Sequence, residues 1–203
     1  MIIRFKEQEY FFSIRSIIFF IIGGSILVFV IYKFLDSNFN IWIEEIVSKQ
    51  TGYILNNIFN IKTQVIYHPE EDIPWTIFIP ANNKTLYMST WCTAVHVFSI
   101  YAGIIIMIPH SQESSTNNDI IWRKAKTLSL LIIIVYCLNI FRLLIVIALS
   151  YHGVPISLAH LVINYISAFI AAFLFVLFLH KYLPEIFISI YYLFCSMRNQ
   201  FSS

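Results

Sequence analysis

AKTLSLLIIIVYCLNIFRLLIVIAL, residues 125–149, carries only two charges, Lys126 at its start and Arg142 near its end. A helix of ~20 apolar residues crosses the ~30 Å hydrocarbon layer of a bilayer, so this run reads as a membrane span. Three others resemble it: 14–35, 91–108 (closed by Pro109) and 154–180 (followed by Lys181 and Pro184). The first is longer than the core of a signal peptide and no small-residue cleavage site follows it, so it reads as a retained span. Composition agrees. The chain of 203 residues is 59% hydrophobic and 12% charged, against roughly 45–50% apolar residues in soluble domains. The fold predicted is an all-α integral membrane protein, a single membrane domain over residues 1–203 built as a four-transmembrane-helix bundle. A net charge of +2, with basic residues beside apolar runs and not in a patch, gives no footing for nucleic acid.

Orientation follows from the flanks, because short loops rich in Lys and Arg stay cytoplasmic. Arg4, Lys6 and Arg15 precede the first span, Arg123, Lys124 and Lys126 lie at the junction of loop 109–124 with the third, and Lys181 and Arg198 follow the fourth. Those flanks fall on one side, which places both termini and loop 109–124 inside and residues 36–90 outside. In the outer segment, residues 41–61 have the apolar spacing of an extracytoplasmic amphipathic helix on the membrane surface, charges upward and interrupted at Gly52. Residues 64–89 combine β-branched and aromatic residues with Pro69, Pro74, Pro80 and a turn signal at Asn82-Asn83, which predicts a short β-hairpin-like segment leading into Cys92. Asn83-Lys84-Thr85 is a glycosylation sequon on that side. The tail, 184–203, reads as an interfacial helix on the inner face.

Reactive side chains gather at one level of this topology. Cys92, His96, Ser99 and Gly103 recur at steps of four, three and four, and His160, Asn164, Ser167 and Ala171 repeat the spacing. Each set is one helical stripe of small or polar residues, the kind that faces a bundle interior. Asn139 and Arg142, three apart, share a face of the third span. Arg142 lies about seven residues, ~10 Å, from the outer end of that span, where a charge is costly unless paired or used. Cys92 opens the second span, where helix amides and a nearby cation favour a thiolate. His160 is placed to take its proton and Arg142 to hold the oxygen of a tetrahedral intermediate; His96, one turn from the cysteine, is a rival base. Cys137 and Cys195 read as ordinary buried thiols, and the three cysteines make no disulfide framework.

The blocks Trp91-Cys92-Thr93-Ala94, Leu138-Asn139-Ile140-Phe141-Arg142 and Ala159-His160, in this order on successive helices, resemble the exosortase and archaeosortase family of membrane transpeptidases, in a compact form. The resemblance extends over residues 51–179. It implies Cys92 as nucleophile, Arg142 as activator or oxyanion stabiliser and His160 as the third member. Asn139, His96, Thr93 and Asn164 are candidate supporting residues by their position beside these three, and no cofactor or metal is expected. Where the family usually has Gly two residues after the cysteine, this chain has Ala94. The function implied is cleavage of a C-terminal sorting signal, comprising a motif, a transmembrane helix and a basic tail, on secreted proteins of a prokaryotic cell. A thioester at Cys92 would pass the protein to an amine, with a membrane lipid as acceptor. Two other readings stand beside it: a metal site from Cys92, His96, His152 and His160, and a noncatalytic assembly or anchoring subunit whose polar stripes only pack against a partner.

Overall fold

The computed structural model describes residues 2–5, 8–117 and 119–201; Lys6 of the N-terminal flank and residues 202–203 of the tail lie outside the described residues. The chain is mainly helical. Helix α1 is Ile14–Leu35, α2 Asn38–Asn57, α3 Val95–Met107, α4 Ser114–Asn117, α5 Ile120–Tyr151, α6 Ile156–Tyr182 and α7 Glu185–Phe201. Among the described residues, α1, α5 and α6 are long and apolar enough to cross a membrane. Much of the apolar surface of α1 and α6 is left uncovered by the protein, including Phe19, Phe29, Phe169 and Phe173, which is the pattern of helices that face lipid. This is a helical membrane protein.

The helix ends follow from their sequences. Ser13 caps α1, its Oγ accepting the Ser16 amide at 3.1 Å. At the other end of the chain's longest helix, Gly153 has φ +97°, the amide of Val154 bonds back to the carbonyl of Leu149 at 3.1 Å, and Pro155 precedes α6. That is a Schellman close followed by a helix breaker, and it makes α5 and α6 an antiparallel hairpin. Helix α5 runs beyond both expected limits, beginning at Ile120 where the inner loop 109–124 was expected to continue, and α6 is shifted two residues towards the C-terminus of the expected 154–180. The expected span 91–108 contains a helix of only 13 residues, α3.

Sheet structure exceeds the hairpin expected. β1, Ile3–Phe5, pairs antiparallel with β2, Gln8–Tyr10. β3 (Gln64–Tyr67), β4 (Trp75–Ile79) and β5 (Lys84–Tyr87) form an antiparallel meander with Val65 opposite Ile77 and Ile77 opposite Leu86. The run Trp-Thr-Ile-Phe-Ile of β4 lacks a polar alternation because it is the central strand, with Trp75, Thr76, Ile77 and Ile79 all buried.

Two compact units are present. One holds Met1–Ile31, Ser99–Ile132 and Leu174–Ser203; in it Tyr10, Phe12 and Ile17 pack with Ile188 and Tyr192 of α7, and fully buried Glu185 pairs with Arg123 at 2.7 Å. Arg123, read as a flanking charge, therefore also ties α5 to α7. The other holds Tyr32–Phe98 and Ile133–Phe173, with a core of Val47 and Leu55 from α2, Ile77, Ile79 and Leu86 from the meander, and Leu143, Leu144 and Ile147 from α5. Helix α2 is not broken at Gly52. A Cβ there would stand 2.6 Å from Cγ2 of Val65, so the glycine lets β3 approach an unbroken helix. The β4–β5 turn docks on the end of α5: Asn82 Nδ2 donates to the Ser150 carbonyl at 2.6 Å, and Lys84 Nζ to that of Val154 at 3.0 Å, a cation at a helix C-terminus.

Candidate active site

All candidate site residues belong to the second unit, and the site starts at the loop between β5 and α3. Thr90–Cys92 form a 3-10 turn, held by the Cys92 amide donating to Ser89 O at 2.7 Å and Thr93 Oγ1 donating to Thr90 O at 2.8 Å. Ala94 then takes φ +60° and turns the chain into α3, which begins at Val95. Cys92 therefore lies before the helix and not on it. The stripe expected from Cys92 through His96 is interrupted at Ala94, and the helix amides that were to favour a thiolate belong to residues further along. The thiol is 2% exposed. Its Sγ donates towards Tyr87 O at 3.6 Å and lies 3.7 Å from Nε2 of His160.

Asn139 and Arg142 hold consecutive carbonyls of the cysteine turn. Asn139 Nδ2 donates to Cys92 O at 2.7 Å, and Arg142 Nη2 to Trp91 O at 3.0 Å. Their three-residue spacing on α5 puts both on one face, so a single helix fixes the backbone on each side of the nucleophile candidate. Arg142 Nη1 donates to Asn164 Oδ1 at 2.8 Å, and Ser167 Oγ to Asn164 O at 3.0 Å, which draws the α6 stripe into the same network. Arg142 is 7% exposed, and its buried Nε has no hydrogen-bond partner among the described residues. A guanidinium has five N–H donors, so donors remain for a ligand. Trp91, Ala94, His96, Arg142 and Asn164 line a cavity of about 200 Å³.

His96 occupies a different place. Its ring meets Trp91 edge-on at 4.0 Å and Tyr32 at 4.9 Å, and its buried Nε2 has no hydrogen-bond partner among the described residues. The geometry brings His160, not His96, to the thiol. His152 lies exposed in the α5–α6 turn, stacked edge-on against Tyr151. Among the described residues no group of three or more His, Cys, Asp or Glu is arranged to hold a metal ion, so the residues of the alternative metal reading do not converge.

Thr93 leads to residues that sequence reasoning missed. Its Oγ1, whose proton is shared between Thr90 O and Asn40 Oδ1, lies 3.1 Å from the latter, Asn40 Nδ2 donates to Glu44 Oε1 at 2.6 Å, and Thr90 Oγ1 donates to Asp36 Oδ1 at 2.9 Å. Asn40, Glu44, Ser48 and Thr51 are all buried. Their spacing of four, four and three marks one face of α2, and that face points inward, so Glu44 departs from the expectation that the helix turns its charges up to solvent, which Lys49 meets. Burial pushes the Glu44 carboxyl up to about 7, with Asp36 adding to the rise and the Asn40 hydrogen bond opposing it.

Comparison with protein-family models, with curated proteins and with solved structures gives no match to the chain.

Proposed function

We propose that this protein is a membrane cysteine peptidase or transpeptidase that cleaves C-terminal sorting signals of secreted proteins. The observation that carries the reading is the 3.7 Å approach of Cys92 Sγ to His160 Nε2 beside a buried arginine, a thiol and a base within reach of a donor for an oxyanion. The ordered blocks around Cys92, Arg142 and His160, with their resemblance to exosortases and archaeosortases, supply the substrate class.

In this reading His160 takes the thiol proton and the sulfur attacks the carbonyl carbon of the scissile bond. The unpartnered N–H groups of Arg142 receive the oxyanion. Collapse breaks the C–N bond, His160 returns the proton to the leaving amine, and the acyl group stays on Cys92 as a thioester. An amine, with a membrane lipid as its carrier, or water then attacks the thioester and frees the thiol. Asn139 and Arg142 keep the Cys92 turn in place through its two carbonyls. The chain would cross the membrane four times, α3 included, in a prokaryotic cell membrane, with both termini inside and the site near the outer face.

Co-expression with a tailed substrate tests the proposal. Cys92→Ala should leave the substrate full length, and His160→Ala and Arg142→Ala should lower processing by about 10²-fold or more, the usual scale for a lost acid–base or oxyanion group. Each variant should remain in the membrane at normal abundance. Processing by Cys92→Ala would refute the nucleophile, and loss in His96→Ala with activity kept in His160→Ala would exchange the base.

A further inference from the structure

A second cleft, of about 510 Å³, lies in the same unit between α2, the β3–β4 loop and the Ser89-Thr90 turn. Its lining carries three acids, Asp36, Glu44 and Asp72, and neither Lys nor Arg, while Ile41, Ile73 and Pro74 supply apolar wall. Glu44 is the unusual member. It is 3% exposed, and only one of its oxygens is satisfied: Oε1 accepts from Asn40, whereas Oε2 is buried with no hydrogen-bond partner among the described residues. A buried carboxylate oxygen with no donor is costly, and none of the described residues supplies one when Glu44 is ionised.

The kind of donor is constrained by the same geometry. The acids do not converge as a metal site does, since no group of three or more such residues among those described is arranged for an ion. The volume is several times that of a single water, and part of the wall is apolar. An ammonium group on a hydrocarbon stem meets both conditions, because it carries three N–H donors that engage carboxylates singly.

We propose that this cleft binds an organic cation, a primary ammonium on a short apolar stem, with Glu44 accepting its hydrogen bonds, Ile41, Ile73 and Pro74 packing the stem, and Asp36 and Asp72 supplying attractive charge. The proposal does not depend on the peptidase reading. Its test therefore uses the protein carrying Cys92→Ala, which lacks the proposed nucleophile, in a nonionic detergent.

Calorimetric titration with n-butylamine should show saturable binding, and n-butanol, of the same shape without the charge, should not bind. Glu44→Gln should weaken the amine by about tenfold or more, the scale of one lost hydrogen bond to a charged group. Asp72→Asn, a substitution at an exposed loop residue, should weaken it several-fold and decides the matter should Glu44→Gln fail to fold. Equal binding of butanol, or Asp72→Asn and a folded Glu44→Gln that both bind the amine as tightly as the parent, would overturn the proposal. Repeating the titration in nanodiscs distinguishes the source of the ammonium. Weaker apparent binding in discs rich in an aminolipid than in phosphatidylcholine discs identifies a headgroup as competitor, and equal binding in both identifies a free amine.

Discussion

Ala94 holds φ at +60°, a left-handed conformation that costs a residue with a Cβ roughly 1–2 kcal/mol. Removing the Cβ relieves the contact, while glycine adds freedom to the unfolded chain. Ala94→Gly should therefore raise stability by up to ~1 kcal/mol, and Ala94→Val should lower it. Thermal unfolding in detergent reads both, and a lower midpoint for the glycine variant would show that the turn is not strained there. Glu44 makes a second prediction at this scale. Its carboxyl titrates at about 7 in the folded chain against an ordinary 4.5, so between those values the folded state holds a proton that the unfolded state has released. The stabilisation is complete below about 4.5 and lost as pH rises through about 7. Unfolding midpoints should fall across that window in the parent and change less in Glu44→Gln. Residue by residue, the side chains on α5 and α6 were legible because Arg142, Asn139, His160 and Asn164 are polar exceptions in apolar helices. Asn40 and Glu44 were not, because a polar line on an amphipathic helix reads as its solvent face whichever way it points.

Element by element, the long apolar helices were legible from hydropathy, while the small elements depended on contacts distant in sequence. Gly52 reads as a helix breaker only if β3 is ignored, and the largely apolar β4 reads as part of a hairpin only if its two flanking strands are not yet known. The interruption of the Cys92–His96 stripe rests on one backbone angle at Ala94, which carries no signal in residue type. Close approach of α1 and α3 is a further case. A Cβ on Gly103 would lie 2.4 Å from Cγ2 of Val28, 3.0 Å from its N and 3.1 Å from its Cα. Backbone cannot yield as a flexible side chain does, so Gly103→Ala should separate the helices at a cost of ~1–3 kcal/mol, the range for overpacking. Gly24 is the control. Its nearest neighbour, Cβ of Met107, is 3.8 Å from the site of a new Cβ, so Gly24→Ala should be neutral or stabilising in the same unfolding assay. Equal destabilisation by the two would mean that helix contact at Gly103 is not the cause.

For the molecule as a whole the number of membrane crossings turns on α3. Thirteen residues of helix rise about 20 Å, short of the ~30 Å hydrocarbon layer. A short span is tolerated where its flanks anchor and the bilayer thins. Both ends of α3 carry such groups: Trp91, 66% exposed, precedes it, and Lys124 Nζ donates to the carbonyls of Ile106 and Ile108 at its close, at 2.9 and 2.7 Å. An aromatic ring at one end and an ammonium at the other are the residues that settle at membrane interfaces. With four crossings, single cysteines placed in a chain lacking Cys92, Cys137 and Cys195 should sort by side. Glu70→Cys and His152→Cys should react with an impermeant maleimide in intact cells, and Gln112→Cys only after permeabilisation; all three positions are exposed. If α3 does not cross, Gln112→Cys labels together with Glu70→Cys and His152→Cys becomes protected. That pattern would put the α5–α6 turn, and with it the end of α5 on which Lys84 docks, on the face opposite the Glu70 loop. The meander joins Glu70 to Lys84 without a span between them, so the Lys84 contact itself favours four crossings.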